Sequence, residues 1–549
     1  MTRISRREFV KIAGFGALAA ASGVSLVGCG SSQGASGSAS TSADGVRQVV
    51  VTMTPGSEPA AGFDPLVSWG CGEHVHEPLI QSTLIATDAE LAFVNDLATS
   101  YECSEDGMTW TFHVRDDVMF TDGVALTAQD VAFTVNGIIS SEASEADLSS
   151  VAEAVVVEPN VVELRMKRPN NALLYTLAVV GIVPAHAYGS DYGARPVGSG
   201  RYMLEQWDRG QQVILRANPD YYGEKPLMDR VVVLFMEEDA SMAAAQAGEV
   251  DVAYTSASLA EHVPEGYALL NCHSVDSRGI SLPCVGADAP DKIEEGVAYK
   301  VGNDVTCDIA VRRALNYGID RDGMIEHVLN GYGTVAWSVG EGLPWASPDM
   351  KVDVDPDYAR RLLEDAGWIA GGDGVRVKDG VRAAFDLYYS AGDSVRQALA
   401  ADFADQCKGL GIEVTVKGAS WDDIYPHQYS DPVLWGWGSN APVELYELTH
   451  SEGWGNYASY GDPAIDACLQ TAREQASVED SYAYYRRAQW DPETGAGVAV
   501  QGASTWVWLA NVDHLYFERD GLEIAKQKPH PHGHGWSLVN NVDRWSWNR

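Results

Sequence analysis

A chain of 549 residues, 46% hydrophobic and 21% charged, is too long for one compact core and suits two or three lobes. Its formal net charge of −39 excludes nucleic acid as a partner and leaves anionic membrane surfaces repelled, since both are gripped by Lys and Arg displacing counterions from phosphate. The 16 Trp and 24 Tyr, spread along the chain, speak against disorder and against a multipass membrane protein.

At the start, Ser5-Arg6-Arg7-Glu8-Phe9-Val10-Lys11 runs straight into an uncharged stretch over 12–27, an arrangement that resembles a twin-arginine export signal. Leu26-Val27-Gly28-Cys29 is similar to a lipobox, in which the Cys29 sulfur accepts a diacylglycerol. Residues 1–29 are therefore expected to be a removable signal, too short and too rich in Ala and Gly for a bilayer span, and 30–46 a flexible Ser/Gly/Ala tether. The expected location is extracytoplasmic, with the protein held to the outer face of the membrane through the lipid alone. Seven cysteines follow Cys29, an odd number without a CxxC or zinc-like spacing, and are expected to be structural.

Folding is expected to begin near Gln48, where Val49, Val50 and Val51 make a short apolar run of buried-strand type ending at Pro55. Over 108–115 Trp110, Phe112 and Val114 alternate with polar residues, the period of a half-buried strand. Thr127 then stands where a hydroxyl caps a helix carrying Val131, Phe133 and Val135. The segments 155–157 and 161–166, parted by Glu158-Pro159-Asn160, read as a hairpin, and 201–207 with 212–216 as a second strand pair turning at Asp208-Arg209-Gly210. The second half is richer in helix, over 308–317, 321–329 and 358–366, with strands at 384–389 and 413–416. Alternating strands and helices predict an α/β fold, and no internal repeat is visible.

Six pieces, in order, carry a resemblance. They are Glu105-Asp106-Gly107-Met108-Thr109-Trp110 continuing to Phe120-Thr121-Asp122-Gly123, then Leu126-Thr127-Ala128-Gln129-Asp130-Val131, Pro196-Val197-Gly198-Ser199-Gly200, Asn218-Pro219-Asp220-Tyr221-Tyr222, Gly248-Glu249-Val250-Asp251, and Val311-Arg312-Arg313-Ala314-Leu315-Asn316. Together with Glu77-Pro78-Leu79-Ile80 they make residues 47 to 548 similar to the family 5 extracellular solute-binding proteins of ABC transporters, with dipeptide-, oligopeptide- and nickel-binding members. The resemblance implies a periplasmic-binding-protein type II fold: two hinged lobes joined by crossing strands, with an extra subdomain inserted in the first. The boundaries expected are 47–85 with 190–283 and 505–548 for lobe I, 86–189 for the insert, and 284–504 for lobe II. It also implies a solute enclosed between the lobes and partners in an ABC permease and its ATPase subunits, for a protein expected to be a monomer.

The candidate ligand contacts follow from the chemistry of the residues. Trp435 and Trp437 offer flat apolar faces, and Ser439 and Asn440 stand where peptide-binding relatives carry an Asp for the ligand's ammonium group, which weakens the case for ordinary recognition of a peptide N-terminus. Tyr388 and Tyr389 end a predicted strand, and the fork of Arg278 suits a carboxylate, as do those of Arg115 and Arg201. Histidines at His74 and His76, and at His532 and His534, are candidate metal ligands, with His427 and His450 as additions from the other lobe. No resident cofactor is expected; nickel or a metal chelate enters only as a possible transported ligand, the alternative to a peptide. An enzyme is disfavoured because HExxH and GxxxxGK[ST] are both absent, and an adhesin is the third reading.

Overall fold

The computed structural model describes residues 45–548 except 68, 69, 72, 73, 142, 295 and 534. Cys29, the export signal and His534 lie outside the described residues. Among the described residues no helix is long and apolar enough to cross a membrane.

The first lobe is built on a seven-stranded sheet in the order Tyr202–Asp208, Gln212–Ala217, Arg230–Phe235, Gln48–Met53, Val252–Thr255, His514–Arg519, Tyr267–Cys272. Gln48–Met53 pairs in parallel with strands on both sides, which explains its continuous run of valines: a central parallel strand is covered on both faces. The second lobe holds a six-stranded sheet in the order Gly333–Val335, Trp506–Val512, Ser277–Ser281, Val433–Trp437, Ala384–Ser390, Glu413–Ala419. The insert is a four-stranded antiparallel sheet, Ala98–Cys103, Thr109–Val114, Val161–Met166 and Val151–Glu158, backed by the helix Ala128–Ser140. Its core gathers Trp110, Phe112 and Val114 from the alternating strand and Val131 and Val135 from the helix.

Local signals landed where the chemistry demanded. Thr127 caps the helix Ala128–Ser140 by accepting the Gln129 N–H at 3.3 Å, while Asp130 accepts the Thr127 N–H at 2.9 Å, a reciprocal box that stabilises by about 1 kcal/mol. Asp355 caps Pro356–Asp365, and the chain leaves that helix through Gly367 at φ 91°. The first hairpin arm is longer than expected, Val151–Glu158, because Asn136 of the helix fixes Ala154 through both its amide groups.

Lobe boundaries need correction. Ser277–Ser281 and Trp506–Val512 pair with each other inside the lobe II sheet, so the expected divisions at 283/284 and 504/505 fall within that lobe. The chain crosses between lobes at 273–276 and, in the other strand, at Asp513 alone. The two crossings are tied together: the Ser274 hydroxyl donates to the Val512 carbonyl at 2.6 Å and the Ser277 hydroxyl to Asn511 Oδ1 at 2.6 Å. The described cysteines Cys103, Cys272, Cys284, Cys307, Cys407 and Cys468 are free thiols.

Candidate ligand cavity

Between the lobes and the insert lies a cavity of about 1640 Å³. Lobe I contributes His76, Glu77, Lys528 and His532, the insert Asp147, Lys167, Arg168 and Tyr175, and lobe II the turn 437–441 with Glu444, Tyr446, Glu447, Trp454 and Arg473. Concave sites form where domains meet because each surface alone is too flat to exclude water from a small molecule.

The strand Val433–Trp437 delivers two tryptophans to one face, as a two-residue period requires. They have different surroundings. Trp435 stacks on Tyr457 with ring centroids 4.1 Å apart and on Trp421 at 5.6 Å, and its indole N–H donates to the Ser281 hydroxyl at 3.0 Å. Its ring is enclosed in the lobe II core and does not line the cavity. Trp437, at the strand end, does line it, edge-on to the half-exposed Trp454 at 5.4 Å.

Beyond Trp437 the chain turns at Gly438, where a Cβ would overlap the Pro531 carbonyl oxygen of lobe I. Glycine here lets the two lobes touch backbone to backbone. Asn440 extends that contact by donating from Nδ2 to the Pro529 carbonyl at 3.0 Å, and its Oδ1 has no hydrogen-bond partner among the described residues. The Ser439 hydroxyl accepts the Ala441 N–H at 3.1 Å, and both Ser439 and Asn440 line the cavity.

The remaining expected ligand contacts sit elsewhere. Tyr388 stacks on His427 at 4.4 Å, and His427 is held by Asp431 at 3.0 Å. Tyr389 belongs to the lobe II core. Arg278 spends its fork on Asp276, donating from Nη1 and Nη2, the latter at 3.0 Å. Neither tyrosine nor Arg278 lines the cavity. Arg115 pairs with Asp117 at 2.7 Å and Arg201 with Asp543 at 2.8 Å.

Histidines divide in the same way. His76 and His532 are buried on the cavity wall, whereas His74 lies on the short strand His74–Val75. His450 lines the cavity but is stacked on Tyr446 at 4.7 Å. Among the described residues no group of three or more His, Cys, Asp or Glu could hold a metal ion. His530, in the same C-terminal run, is fully buried at the lobe crossing, with Nδ1 3.1 Å from Nδ1 of His514, and burial followed by the His514 charge pushes its pKa well down. Asp276, which meets His514 Nε2 at 3.1 Å, would be raised by burial, but Arg278, His532 and His514 hold it well below the carboxylate range.

Sequence reasoning missed the charged wall. Glu444 has its carboxyl pushed up to about 8, first by burial and then by the charge of Asp276. Glu447 is also raised by burial, with Arg473 opposing. Across the cavity Lys528 is held by Glu77 and by the Thr87 carbonyl at 3.1 Å. Glu444 two residues after Pro442 was the one signal available, an acid just beyond the aromatic strand.

Comparison with known proteins fits this geometry. The description "Bacterial extracellular solute-binding proteins, family 5 Middle" matches residues 92–457. Protein XP55 of Streptomyces lividans is 33% identical over 457 residues, covering 80% of this chain and 79% of that protein. The oligopeptide-binding protein AppA of Bacillus subtilis is 28% identical over 512 residues, 85% of this chain and 90% of that one. Among solved structures, NikZ from Campylobacter jejuni in complex with Ni(L-His) superposes with a TM-score of 0.75 at 24% identity, over 91% of this chain and 99% of that one, and shares the fold. The two-lobed α/β architecture is thus that of the type II periplasmic binding proteins, and the chain belongs to the bacterial extracellular solute-binding proteins, family 5.

Proposed function

We propose that the protein captures short peptides in the cavity between its lobes and delivers them, chemically unchanged, to an ABC permease driven by its ATPase subunits. The observation that carries this reading is the cavity itself: about 1640 Å³, walled by both lobes and the insert. That exceeds the roughly 300–1,000 Å³ of ordinary small-molecule sites, and a metal ion with one small chelator leaves most of it empty. Its wall mixes an aromatic face at Trp437 with acids and bases, a chemistry suited to a dipolar chain. A solute touching both lobes binds the closed form better than the open one and so shifts the population toward closure, which a permease can sense. Oligopeptide binding by the relative AppA of Bacillus subtilis supports the same cargo.

Mass spectrometry of solute retained by protein purified gently from its native host tests this directly. Short peptides are the expected finding, and nickel with an organic chelator in their place overturns it. Recovery of added peptide uncut checks that binding is the whole activity. The metal-chelate reading is second, favoured by His76 and His532 on the wall and by the nickel-binding relative in Escherichia coli. On that reading nickel raises the melting temperature and His532→Ala removes the effect. Monomeric anchoring through a lipid on Cys29 belongs to the same proposal; labelled fatty acid incorporated into the protein and lost in Cys29→Ala supports it, and equal labelling refutes it.

A further inference from the structure

Asp276, His514 and His530 meet where the chain crosses between the lobes, and all three are buried. Which of their ring nitrogens carry hydrogen is fixed by a chain of contacts that starts at Trp545. An indole nitrogen can only donate, and that of Trp545 does so to Asn541 Oδ1 at 2.8 Å. The Gln527 atom 2.9 Å from the same oxygen is therefore its amide Nε2, which also donates to the Ala525 carbonyl at 3.0 Å. Gln527 thus turns its acceptor, Oε1, toward Nε2 of His530 at 3.3 Å, and that nitrogen must bear a hydrogen. At the other end Nε2 of His514 faces Asp276 Oδ2 at 3.1 Å, on a carboxylate whose two oxygens also accept from the Arg278 fork. This nitrogen must bear a hydrogen as well. Between the rings the two Nδ1 atoms stand 3.1 Å apart, and one hydrogen has to lie between them.

Three hydrogens on four ring nitrogens make one imidazole and one imidazolium. Burial and the neighbouring charge keep His530 neutral, so the imidazolium is His514, beside an ionised Asp276. With both rings neutral, one of the three contacts would set an unprotonated nitrogen against an acceptor. The other groups facing His514 do not take its charge. Cys272, opposite it in the sheet, is a thiol that burial pushes up to about 12, the Tyr516 phenol on its own strand is pushed well up, and Asp513 is engaged with His273 at 3.2 Å. His532 and Glu444 act on it through Asp276, which both of them feel. Gly533 closes over the bond, since a Cβ there would sit 3.1 Å from Asp276 Oδ2 and 3.6 Å from His514 Nε2. The bond also lies across the hinge. His514 opens the lobe I strand after the Asp513 crossing, whereas Asp276 ends the 273–276 crossing on the lobe II side, tied to Arg278 of that lobe.

We propose that the extra proton on His514 is a lock on the hinge, joining lobe I to Asp276 and Arg278 on the lobe II side in the closed form and letting the lobes part when it is lost. The inference rests on hinged closure and not on the identity of the solute. The closed form holds the proton more tightly than an open form in which Asp276 has moved away, so by linkage closure is favoured as pH falls and opening as pH rises.

The test uses the purified full-length protein stripped of solute. With histidine labelled by nitrogen-15, NMR at about pH 7.5 should show a ring protonated on both nitrogens that disappears in His514→Gln. Solution scattering should give a radius of gyration that rises between about pH 6 and about pH 9. Gln527→Met is the sharper variant and leaves both histidines in place. Without Oε1, Nε2 of His530 needs no hydrogen, two neutral rings satisfy the remaining contacts, and the rise should vanish; a merely structural residue would leave the pH dependence as it was. Absence of the doubly protonated ring, or a rise that persists in Gln527→Met, overturns the lock. A wild-type radius that does not move with pH overturns it as well, while hinged closure is judged separately, by comparing the stripped protein with protein that keeps the solute retained from its host.

Discussion

Trp435 and Trp437 are two residues apart on one strand, and their fates differ because one is roofed by Tyr457 and Trp421 while the other meets the cavity. Trp435→Ala is expected to lower unfolding free energy by about 3–5 kcal/mol in urea melts, with little change in affinity per folded molecule. Trp437→Ala is expected to cost more than about tenfold in calorimetric affinity, the loss of an aromatic wall. Glu444 gives a pH signature. Its folded pKa of about 8 lies above its ordinary 4.5, so the folded state keeps a proton that the unfolded chain releases, and this contribution is full below about 4.5 and lost as pH rises through 8. Glu444→Gln should therefore match wild type in melting temperature near pH 4.5 and exceed it at pH 8.5, by an amount worth about 1–3 kcal/mol. A constant difference across that range would refute the assignment. At this scale the sequence was partly legible. Asp276 and Arg278, two apart on an extended segment, share a face and were readable as a pair that leaves Arg278 nothing for a ligand. The burial that raises Glu444 carried no such sign, because it exists only once distant segments have closed around the side chain.

Elements were most legible where their cause is local. The cap at Thr127, the proline start at Pro356 and the alternating 108–115 segment each depend on neighbours within a few residues, and each formed. Membership of a sheet depends on pairing across hundreds of residues, which is why the expected boundaries at 283/284 and 504/505 part the strands Ser277–Ser281 and Trp506–Val512 from the sheet in which they pair. The turn after Val433–Trp437 shows the same limit, since the need for glycine at 438 comes from Pro531 of the other lobe. Gly438→Ala should leave lobe II folded, with an unchanged melting temperature for the empty protein, yet weaken solute binding by about tenfold or more because the lobes are held apart. Unchanged calorimetric affinity would show that this contact is dispensable.

For the whole molecule, the resemblance carried by six ordered motifs delivered the type II architecture, while the cavity wall was readable only in part, at Trp437, Ser439, Asn440, His76 and His532, because stretches from both lobes and the insert build it together. Solution scattering should show a smaller radius of gyration when solute saturates the protein, and Gly438→Ala should stay expanded under the same conditions. A radius that does not change on binding would exclude hinged closure. The crossing at Asp513 has one more consequence. Residues 506–519 supply an inner strand to each large sheet, so neither sheet is complete until that stretch has left the ribosome. A nascent or prematurely terminated chain ending before it exposes two gaps in its hydrogen-bonded ladders at once, and quality-control proteases meet an unfinished molecule rather than one sound half.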